Sequence, residues 1–365
     1  MNSKKGIYFP NLNGVRFIAA LSVLIYHFFS TKILIGHLGV ILFFVLSGFL
    51  ITYLLLEEKE TQNKISIKKF YIRRILRIWP LYFLIVLIAT IVFFFIKDVE
   101  NSRTQFSAII YFLAFIPNVA FVMNISFKYA SILWSVGSEE QYYLLWPWLV
   151  KIKSNQKILL AFVFIILFFT CIPHVIDFIN NHYLGNSTNI LFYSSRIMAR
   201  MSFNSMATGG LLAFLYKYKP VYIKFLFNKI FQFVCLIILL GCWIFSVEFI
   251  FNDQFYALLF GIMILNLALN PDVIFSLENK VFNYLGKISY GLYVYHLIAF
   301  DINIFIITKC LKMTYTNSIY FFIPGVLITV IMSSVSYYFF EKPFLKLKLN
   351  KFSLIKSGDM LSKKE

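Results

Sequence analysis

An arginine and a histidine near opposite ends of one apolar segment are the first residues whose types and spacing suggest chemistry. The segment NLNGVRFIAALSVLIYH runs from Asn11 to His27, and it carries Arg16 eleven residues before His27. That spacing is close to three helical turns, so both side chains lie on one helix face, roughly 16 Å apart along the axis. Histidine can take a proton from a hydroxyl near neutral pH, whereas arginine stays charged. The pair indicates a functional track through an apolar helix, with structural hydrogen bonding and snorkelling as the alternatives.

Three arginines end the most basic stretch of the chain, KKFYIRRILRIWPLY, at positions 73, 74 and 77. Arginine matches phosphate oxygens bidentately, so the group is a candidate phosphate clamp. Basic residues beside a membrane span also arise from the positive-inside rule alone. Both readings stay open on the residues themselves.

Two further pairs of charged residues lie in apolar surroundings. Glu139 and Glu140 point about 100° apart on a helix, so they do not form a dyad; one can face inward and orient His27 while the other faces water. Arg196 and Arg200 are one turn apart within an apolar run. Two arginines in hydrocarbon need partners, and Glu139 or an anionic substrate could supply them.

The composition places these groups in a membrane protein. Of the 365 residues, 60% are hydrophobic, 14% are charged and 44 are Phe, and the mean hydropathy is +0.78. A soluble domain is nearer half apolar, and apolar runs able to cross about 30 Å of hydrocarbon recur along this chain. We therefore expect an all-α polytopic membrane protein with about ten transmembrane helices. The predicted spans are 12–30, 36–56, 78–97, 136–150, 157–176, 190–216, 228–248, 255–271, 286–308 and 317–340.

The distribution of positive charge predicts how the spans are oriented. The net charge is +18, and 25 of the 34 Lys and Arg fall in the two terminal segments and the alternate loops that share their side. This bias places both termini in the cytoplasm and argues against nucleic acid as the partner. It also allows only one of the segments 106–124 and 136–150 to cross, and we expect 136–150 to do so. Spans 7 and 8 carry few polar groups and are expected to be scaffold.

One integral-membrane domain is expected over 1–345, followed by a basic tail, 346–365, that we expect to be disordered and to contact anionic lipid. No cleavable signal peptide is expected, since the first apolar run contains Arg16. The four cysteines show no metal-binding spacing, so neither a disulfide framework nor a metal site is expected.

Six motifs in order resemble the integral-membrane acyltransferase 3 family. An arginine, ten residues and a histidine match Arg16 and His27, and GVILFFVLSGFLI resembles the family's second motif. The RRxxRIxPxY pattern begins at Arg73, and WSVGSEEQYYL is similar to the family's WSLSVEEQFYL, aligning Glu139 with its most characteristic glutamate. GKISYGLYVYH and SYYFFEKPF resemble the last two conserved segments. The likeness covers nearly the whole chain.

The resemblance implies an enzyme of the bacterial inner membrane that moves an acyl group, commonly acetyl, from acyl-CoA to a hydroxyl of a cell-surface or lipid-linked glycan. It implies His27 as the base, with Glu139 orienting it and Arg16 as a further catalytic-site residue. The expected contacts to the coenzyme A phosphates are Arg73, Arg74 and Arg77, and those to substrate are Arg196, Arg200, Tyr143 and His296. An acyl-histidine intermediate is the competing chemistry, and no metal is expected.

The chain departs from the family pattern at Ile41, where many relatives have Asp, and at VGS, 136–138, where LSV is usual. A periplasmic hydrolase-like domain found in some relatives is not seen in this sequence, so we expect no function that needs it. Two other classes stay open. A non-enzymatic transporter or flippase of a lipid-linked glycan predicts no acyl-CoA dependence and no new ester, and a glycan polymerase predicts large outer loops.

Overall fold

Helices make up almost all of the structure, a computed structural model that describes residues 7–29, 35–96, 102–183, 189–245, 247, 250–312 and 319–352. The α-helices in chain order are α1 (Leu12–Phe29), α2 (Ile35–Gln62), α3 (Ile67–Ile96), α4 (Ser102–Leu113), α5 (Pro117–Val122), α6 (Trp134–Lys151), α7 (Asn155–Tyr183), α8 (Asn189–Met201), α9 (Phe203–Tyr218), α10 (Lys229–Ile244), α11 (Asn252–Leu269), α12 (Lys280–Lys287), α13 (Ser289–Phe305), α14 (Ile319–Val335) and α15 (Lys342–Leu347). Short 3₁₀ helices cover Lys128–Leu133 and Pro220–Phe227, and π-helical turns cover Ile306–Cys310, Ser336–Glu341 and Lys348–Phe352. The all-α prediction is confirmed.

Seven helices in the described part of the chain are long and apolar enough to cross a membrane, and a pair bent by 72° on either side of Asn228 can supply an eighth. A polytopic membrane protein is therefore confirmed. The predicted spans 136–150 and 190–216 are not among these helices. The second of them is not one helix, because Ser202 adopts a left-handed backbone with φ 51° and separates α8 from α9. The total of ten spans and the cytoplasmic termini stay predictions.

Three other predicted boundaries differ from the structure. α3 begins at Ile67 rather than at 78, so the basic arginines lie on a helix and not in a loop. The segment 106–124 is divided into α4 and α5, each too short at about 1.5 Å per residue to cross alone. The last helical run continues through its π-helical turns to Phe352, and the rest of the predicted tail, 353–365, lies outside the described residues.

Small residues bring the central helices into backbone contact. A Cβ at Gly48 of α2 would lie 1.8 Å from the Met206 carbonyl oxygen of α9, and one at Gly209 of α9 would lie 2.0 Å from the Val45 carbonyl oxygen. A Cβ at Gly39 would likewise lie 2.6 Å from the Ala19 carbonyl oxygen of α1. Helices in lipid associate through such close approaches because lipid gives no hydrophobic drive between them. These contacts make α1, α2 and α9 a tightly packed block.

The first helix is fixed in place at its beginning. Asn11, buried and with φ 67°, donates from Nδ2 to the Leu267 carbonyl at 2.9 Å and accepts from the Leu277 amide at 2.6 Å. Gly286 of α12 also packs directly on the Asn13 backbone. These contacts set where α1 starts and therefore where its side chains point. We call this side of the molecule the Arg16 end and the opposite side, where α1 finishes, the His27 end.

Candidate active site

A cavity of about 120 Å³ lies between α1, α2, α3, α6 and α13. Five predicted site residues line it: Arg16, Arg74, Arg77, Glu139 and Tyr143. Its other polar groups are the hydroxyls of Ser47, Ser135, Ser289, Tyr290 and Tyr293, and the remaining wall is apolar. The other five predicted residues, His27, Arg73, Arg196, Arg200 and His296, lie outside this lining. The cavity is therefore lined by three arginines, whereas the predicted base, His27, does not line it.

The neighbouring arginines of α3 have different surroundings because adjacent helical residues point about 100° apart. Arg73 donates to Glu58 at 2.8 Å and to the Phe352 carbonyl at 3.2 Å. Glu58 is only 2% exposed and also accepts from the Ser66 amide at 2.7 Å. Arg73 is thus held by the fold and turned away from the cavity. Arg73 does not line the cavity described here, and its part in a three-arginine clamp stays a prediction.

Arg74 and Arg77 remain directed into the cavity. The Arg74 guanidinium lies over the ring of Tyr143 at 5.6 Å, and its buried Nε has no hydrogen-bond partner among the described residues. Arg16 approaches from α1, where it donates to Asn13 Oδ1 at 2.9 Å. A buried guanidinium nitrogen without an acceptor is costly, so an anionic group entering the cavity is stabilised by Arg74.

Glu139 is engaged within the cavity wall. Its carboxylate accepts hydrogen bonds from the hydroxyls of Ser47 and Tyr143, and no hydrogen bond joins it to His27 among the described residues. The described contacts thus join this carboxylate to α2 and to its own helix, and the role of Glu139 in orienting His27 stays a prediction. Glu140 is buried and accepts from Trp79 Nε1 at 3.0 Å, so it does not face water as predicted.

His27 lies beyond the cavity, beside a second histidine. The ring centroids of His27 and His296 are 4.8 Å apart with the planes tilted by 41°. His296 is fully buried, and its Nδ1 donates to the Tyr293 carbonyl at 2.5 Å. Tyr293 lines the cavity, and its ring centroid is 6.0 Å from that of His296. Two residues of α13, Tyr293 and His296, therefore lie between the cavity and His27 in this chain of contacts.

The arginines of α8 are held by aromatic rings. Arg200 lies 4.8 Å from the Trp134 ring centroid and 5.3 Å from that of Phe121, and it is within electrostatic range of Asp253. Arg196 lies over Phe192 of its own helix at 5.3 Å. Among the described residues the acidic neighbour of Arg200 is Asp253 rather than the expected Glu139. Arg200 also lies within electrostatic range of Tyr26 and Tyr293, which places it near the histidine pair.

A polar group at the His27 end was missed from the sequence. His37 Nε2 lies 2.7 Å from Asp253 Oδ1, and both side chains are about one third exposed, at 30% and 36%. Beside them Gln254 Nε2 donates to Thr208 at 2.9 Å, and Asn204 donates to Thr170 at 3.3 Å. The sequence predicts α11 to be scaffold, although Asp253 in its first turn indicates a polar site there. The partner of that acid is 216 residues away along the chain, beyond the reach of any local pattern.

Comparison with known proteins places this arrangement in a family. Residues 9–338 match the profile of the acyltransferase 3 family, described as an acyltransferase domain. The chain belongs to the acyltransferase 3 family.

Two relatives illustrate the likeness and its extent. The chain is 28% identical to O-acetyltransferase OatA of Staphylococcus aureus strain NCTC 8325 over 373 residues, covering 95% of this chain and 59% of the relative. It is 29% identical over 370 residues to a provisionally named O-acetyltransferase of strain COL, covering 94% and 58%. The chain thus spans less than two thirds of the length of these relatives. No solved structure matches it significantly.

Proposed function

We propose that this protein is a membrane O-acyltransferase, and most simply an O-acetyltransferase, that moves the acyl group of acyl-CoA to a hydroxyl of a cell-surface or lipid-linked glycan. The observation that carries the proposal is a chain of contacts: arginines 16, 74 and 77 line a cavity, Tyr293 lines it too, and the rings of His296 and His27 follow from Tyr293. Membership of an acyltransferase family and relatives named as O-acetyltransferases support the same reaction. We place the protein in the bacterial cytoplasmic membrane.

The donor fits the Arg16 end by charge. The phosphates of coenzyme A are polyanionic, and arginine binds phosphate oxygens with strong charge-assisted hydrogen bonds. The buried Nε of Arg74 has no hydrogen-bond partner there among the described residues. The thin pantetheine arm suits a cavity of about 120 Å³, which is smaller than the roughly 300–1,000 Å³ that encloses a drug-sized ligand. This size favours an acyl path over passage of a lipid-linked sugar, as a transporter or flippase needs.

The histidine pair supplies the proton chemistry. His27 removes the proton of the acceptor hydroxyl as its oxygen attacks the thioester carbonyl. The carbon–sulfur bond breaks, and His27 returns the proton to the coenzyme A thiolate, so the products are an ester and free coenzyme A. If His27 instead attacks the thioester itself, an acyl-histidine forms first and the acceptor hydroxyl then displaces the imidazole. Both routes require His27 at the meeting point of donor and acceptor.

The test is His27→Ala, with His182→Ala as the control because His182 is an exposed imidazole at the end of α7. Membrane vesicles from cells expressing each variant receive acetyl-CoA labelled in the acetyl group, and alkali-labile label on envelope glycans is counted. Loss of a general base lowers the rate by roughly 100- to 10,000-fold. We expect that loss for His27→Ala, unchanged transfer for His182→Ala, and unchanged binding of acetyl-CoA in both.

Retained transfer by His27→Ala rejects His27 as the base. Mass spectrometry of the same glycans separates the classes of function. Loss of one acetyl mass per repeat on gene deletion supports acetylation, whereas an unchanged mass with lost export supports a transporter or flippase and overturns the proposal.

A further inference from the structure

Within the described ranges, His296 has one ring nitrogen that is hydrogen-bonded and one that has no partner. It is fully buried on α13, and its Nδ1 lies 2.5 Å from the Tyr293 carbonyl oxygen. Its Nε2 is also buried and has no hydrogen-bond partner within the described ranges. Buried polar atoms are nearly always hydrogen-bonded in native proteins. An atom that breaks this rule beside a candidate catalytic residue calls for a functional explanation.

The hydrogen bond at Nδ1 decides what the free nitrogen can do. A carbonyl oxygen only accepts, so Nδ1 of His296 must carry the hydrogen. In a neutral imidazole the other nitrogen is then an acceptor. Nε2 of His296 therefore presents a lone pair that can accept a hydrogen bond from an N–H donor.

The imidazole of His27 is the side chain placed to supply that donor. The two ring centroids are 4.8 Å apart with the planes tilted by 41°, a separation at which a ring N–H of His27 can reach the lone pair when the rings meet edge to edge. The positions of the two helices are fixed. Gly291 of α13 packs so closely that a Cβ there would lie 2.9 Å from Ser333 Cβ of α14. The Tyr26 ring likewise fills the space next to Gly36, where a Cβ would lie 2.4 Å from Tyr26 Cγ.

We propose that His296 is the positioning residue of the reaction: its neutral Nε2 accepts the second N–H of His27, selects the His27 tautomer and steadies the imidazolium. The inference rests on the proposed function. When His27 takes the hydroxyl proton, both of its nitrogens carry hydrogen, and one of these donates to His296 while the other holds the transferred proton. No proton leaves or enters His296. A hydrogen-bonded partner commonly fixes the tautomer and the orientation of a working histidine, and here a second imidazole takes the place predicted for Glu139.

The alternative is that His296 only fills space. Two substitutions separate these roles. His296→Phe keeps a flat ring of similar size and removes both nitrogens, whereas His296→Gln keeps an acceptor oxygen near the position of Nε2. Each is compared with the wild type in membrane vesicles supplied with labelled acetyl-CoA, and kcat and KM for acetyl-CoA are measured.

We expect His296→Phe to lower kcat by roughly 10- to 100-fold, as removal of an outer partner of a functional histidine commonly does, without changing KM for acetyl-CoA. His296→Gln should stay within a few-fold of the wild type. A second readout is nitrogen NMR of histidine-labelled protein in nanodiscs: the His27 ring should hold one tautomer in the wild type and in His296→Gln, and a mixture in His296→Phe.

Equal rates for wild type and His296→Phe overturn the inference, as do equal losses in Phe and Gln variants that both still bind acetyl-CoA. An unchanged His27 tautomer in His296→Phe overturns it too. These results differ from failure of the proposed function, in which the wild type itself transfers no acetyl group or His27→Ala transfers normally.

Discussion

Helices α3 and α8, which each carry more than one arginine, accommodate these cations in different ways. On α3 a buried carboxylate, Glu58, pairs with Arg73, while Arg74 faces a cavity and its Nε has no hydrogen-bond partner in the described part of the chain. On α8 no carboxylate lies within ion-pair distance of Arg200 among the described residues, and the rings of Trp134 and Phe121 hold it. A guanidinium stacked on rings keeps its edge free for hydrogen bonds. Adjacent arginines of α3 thus have different surroundings, one in an ion pair and one at a cavity, whereas aromatic rings hold Arg200 on α8.

The largest effect is expected from Arg74→Gln, which removes the cation facing the cavity. Because hydrogen bonds to charged groups contribute about 1.5–3 kcal/mol, KM for acetyl-CoA should rise roughly 10- to 100-fold while thermal stability changes little. Steady-state kinetics in vesicles and a melting curve in detergent measure the two quantities. An unchanged KM for acetyl-CoA rejects Arg74 as a donor-binding residue, and with it the proposed difference in role between Arg73 and Arg74.

Arg73→Gln is the matched variant one residue earlier, and it should act on stability instead. It leaves the Glu58 carboxylate buried without its cation, a change that typically costs about 3–5 kcal/mol. We expect a lower melting temperature with normal KM for acetyl-CoA. Adding Glu58→Gln should restore much of the stability, since the uncompensated charge is then gone. A raised KM with normal melting contradicts this assignment.

Arg200→Lys tests the aromatic setting on α8. Lysine keeps the charge but lacks the planar group that stacks on Trp134. We expect KM for the glycan acceptor to rise a few-fold, about 3- to 10-fold for a loss near 1 kcal/mol, with KM for acetyl-CoA unchanged. The control is Arg196→Lys, since the ring contact of Arg196 among the described residues is with Phe192 of its own helix. Equal effects of both changes remove the distinction between the two arginines.

The smallest effect concerns a carboxylate near water, in contrast to the buried Glu58. Burial raises the pKa of Glu278, but hydrogen bonds from Tyr8, the Asn11 amide and Asn283 outweigh it and lower the pKa below its usual value. A lowered folded-state pKa contributes stability above the unfolded value, about 4.3, and that stability is lost as pH falls through the lowered pKa. Glu278→Gln should therefore melt slightly earlier than the wild type at pH 7, and the difference should vanish in acid. A difference that persists unchanged at low pH contradicts the linkage.

Local patterns in the sequence predicted the helices and many of the polar groups. The apolar segment from Asn11 to His27 predicts the helix that carries Arg16, and the structure has it as α1. What could not be predicted depends on helix rotation and distant pairing. Which of Arg73 and Arg74 faces the cavity depends on the rotation of α3. That helix begins at Ile67, whereas the predicted span begins at 78, so both arginines lie outside the span that the sequence predicts.

The partners of the candidate site residues were the least predictable part. Glu139 bonds to Ser47, 92 residues away, and its direction depends on how α6 is rotated against α2. The pairing of His27 with His296 needs α1 and α13 to pack side by side, which a family motif in each helix does not reveal. Residue type identified these groups as candidates, but only three-dimensional packing assigns each one a neighbour.

The backbone contact between α2 and α9 has a mechanical consequence for the donor path. Gly48 meets the Met206 carbonyl with no side chain between the two atoms, so a rotamer change cannot open this point of contact. Packed elements of this kind move as one body. Since α2 supplies one wall of the cavity, the space for an incoming acyl chain must come from the opposite walls. We expect α3, α6 and α13 to shift against a stationary block, so that loading the enzyme is a one-sided opening rather than a symmetric expansion.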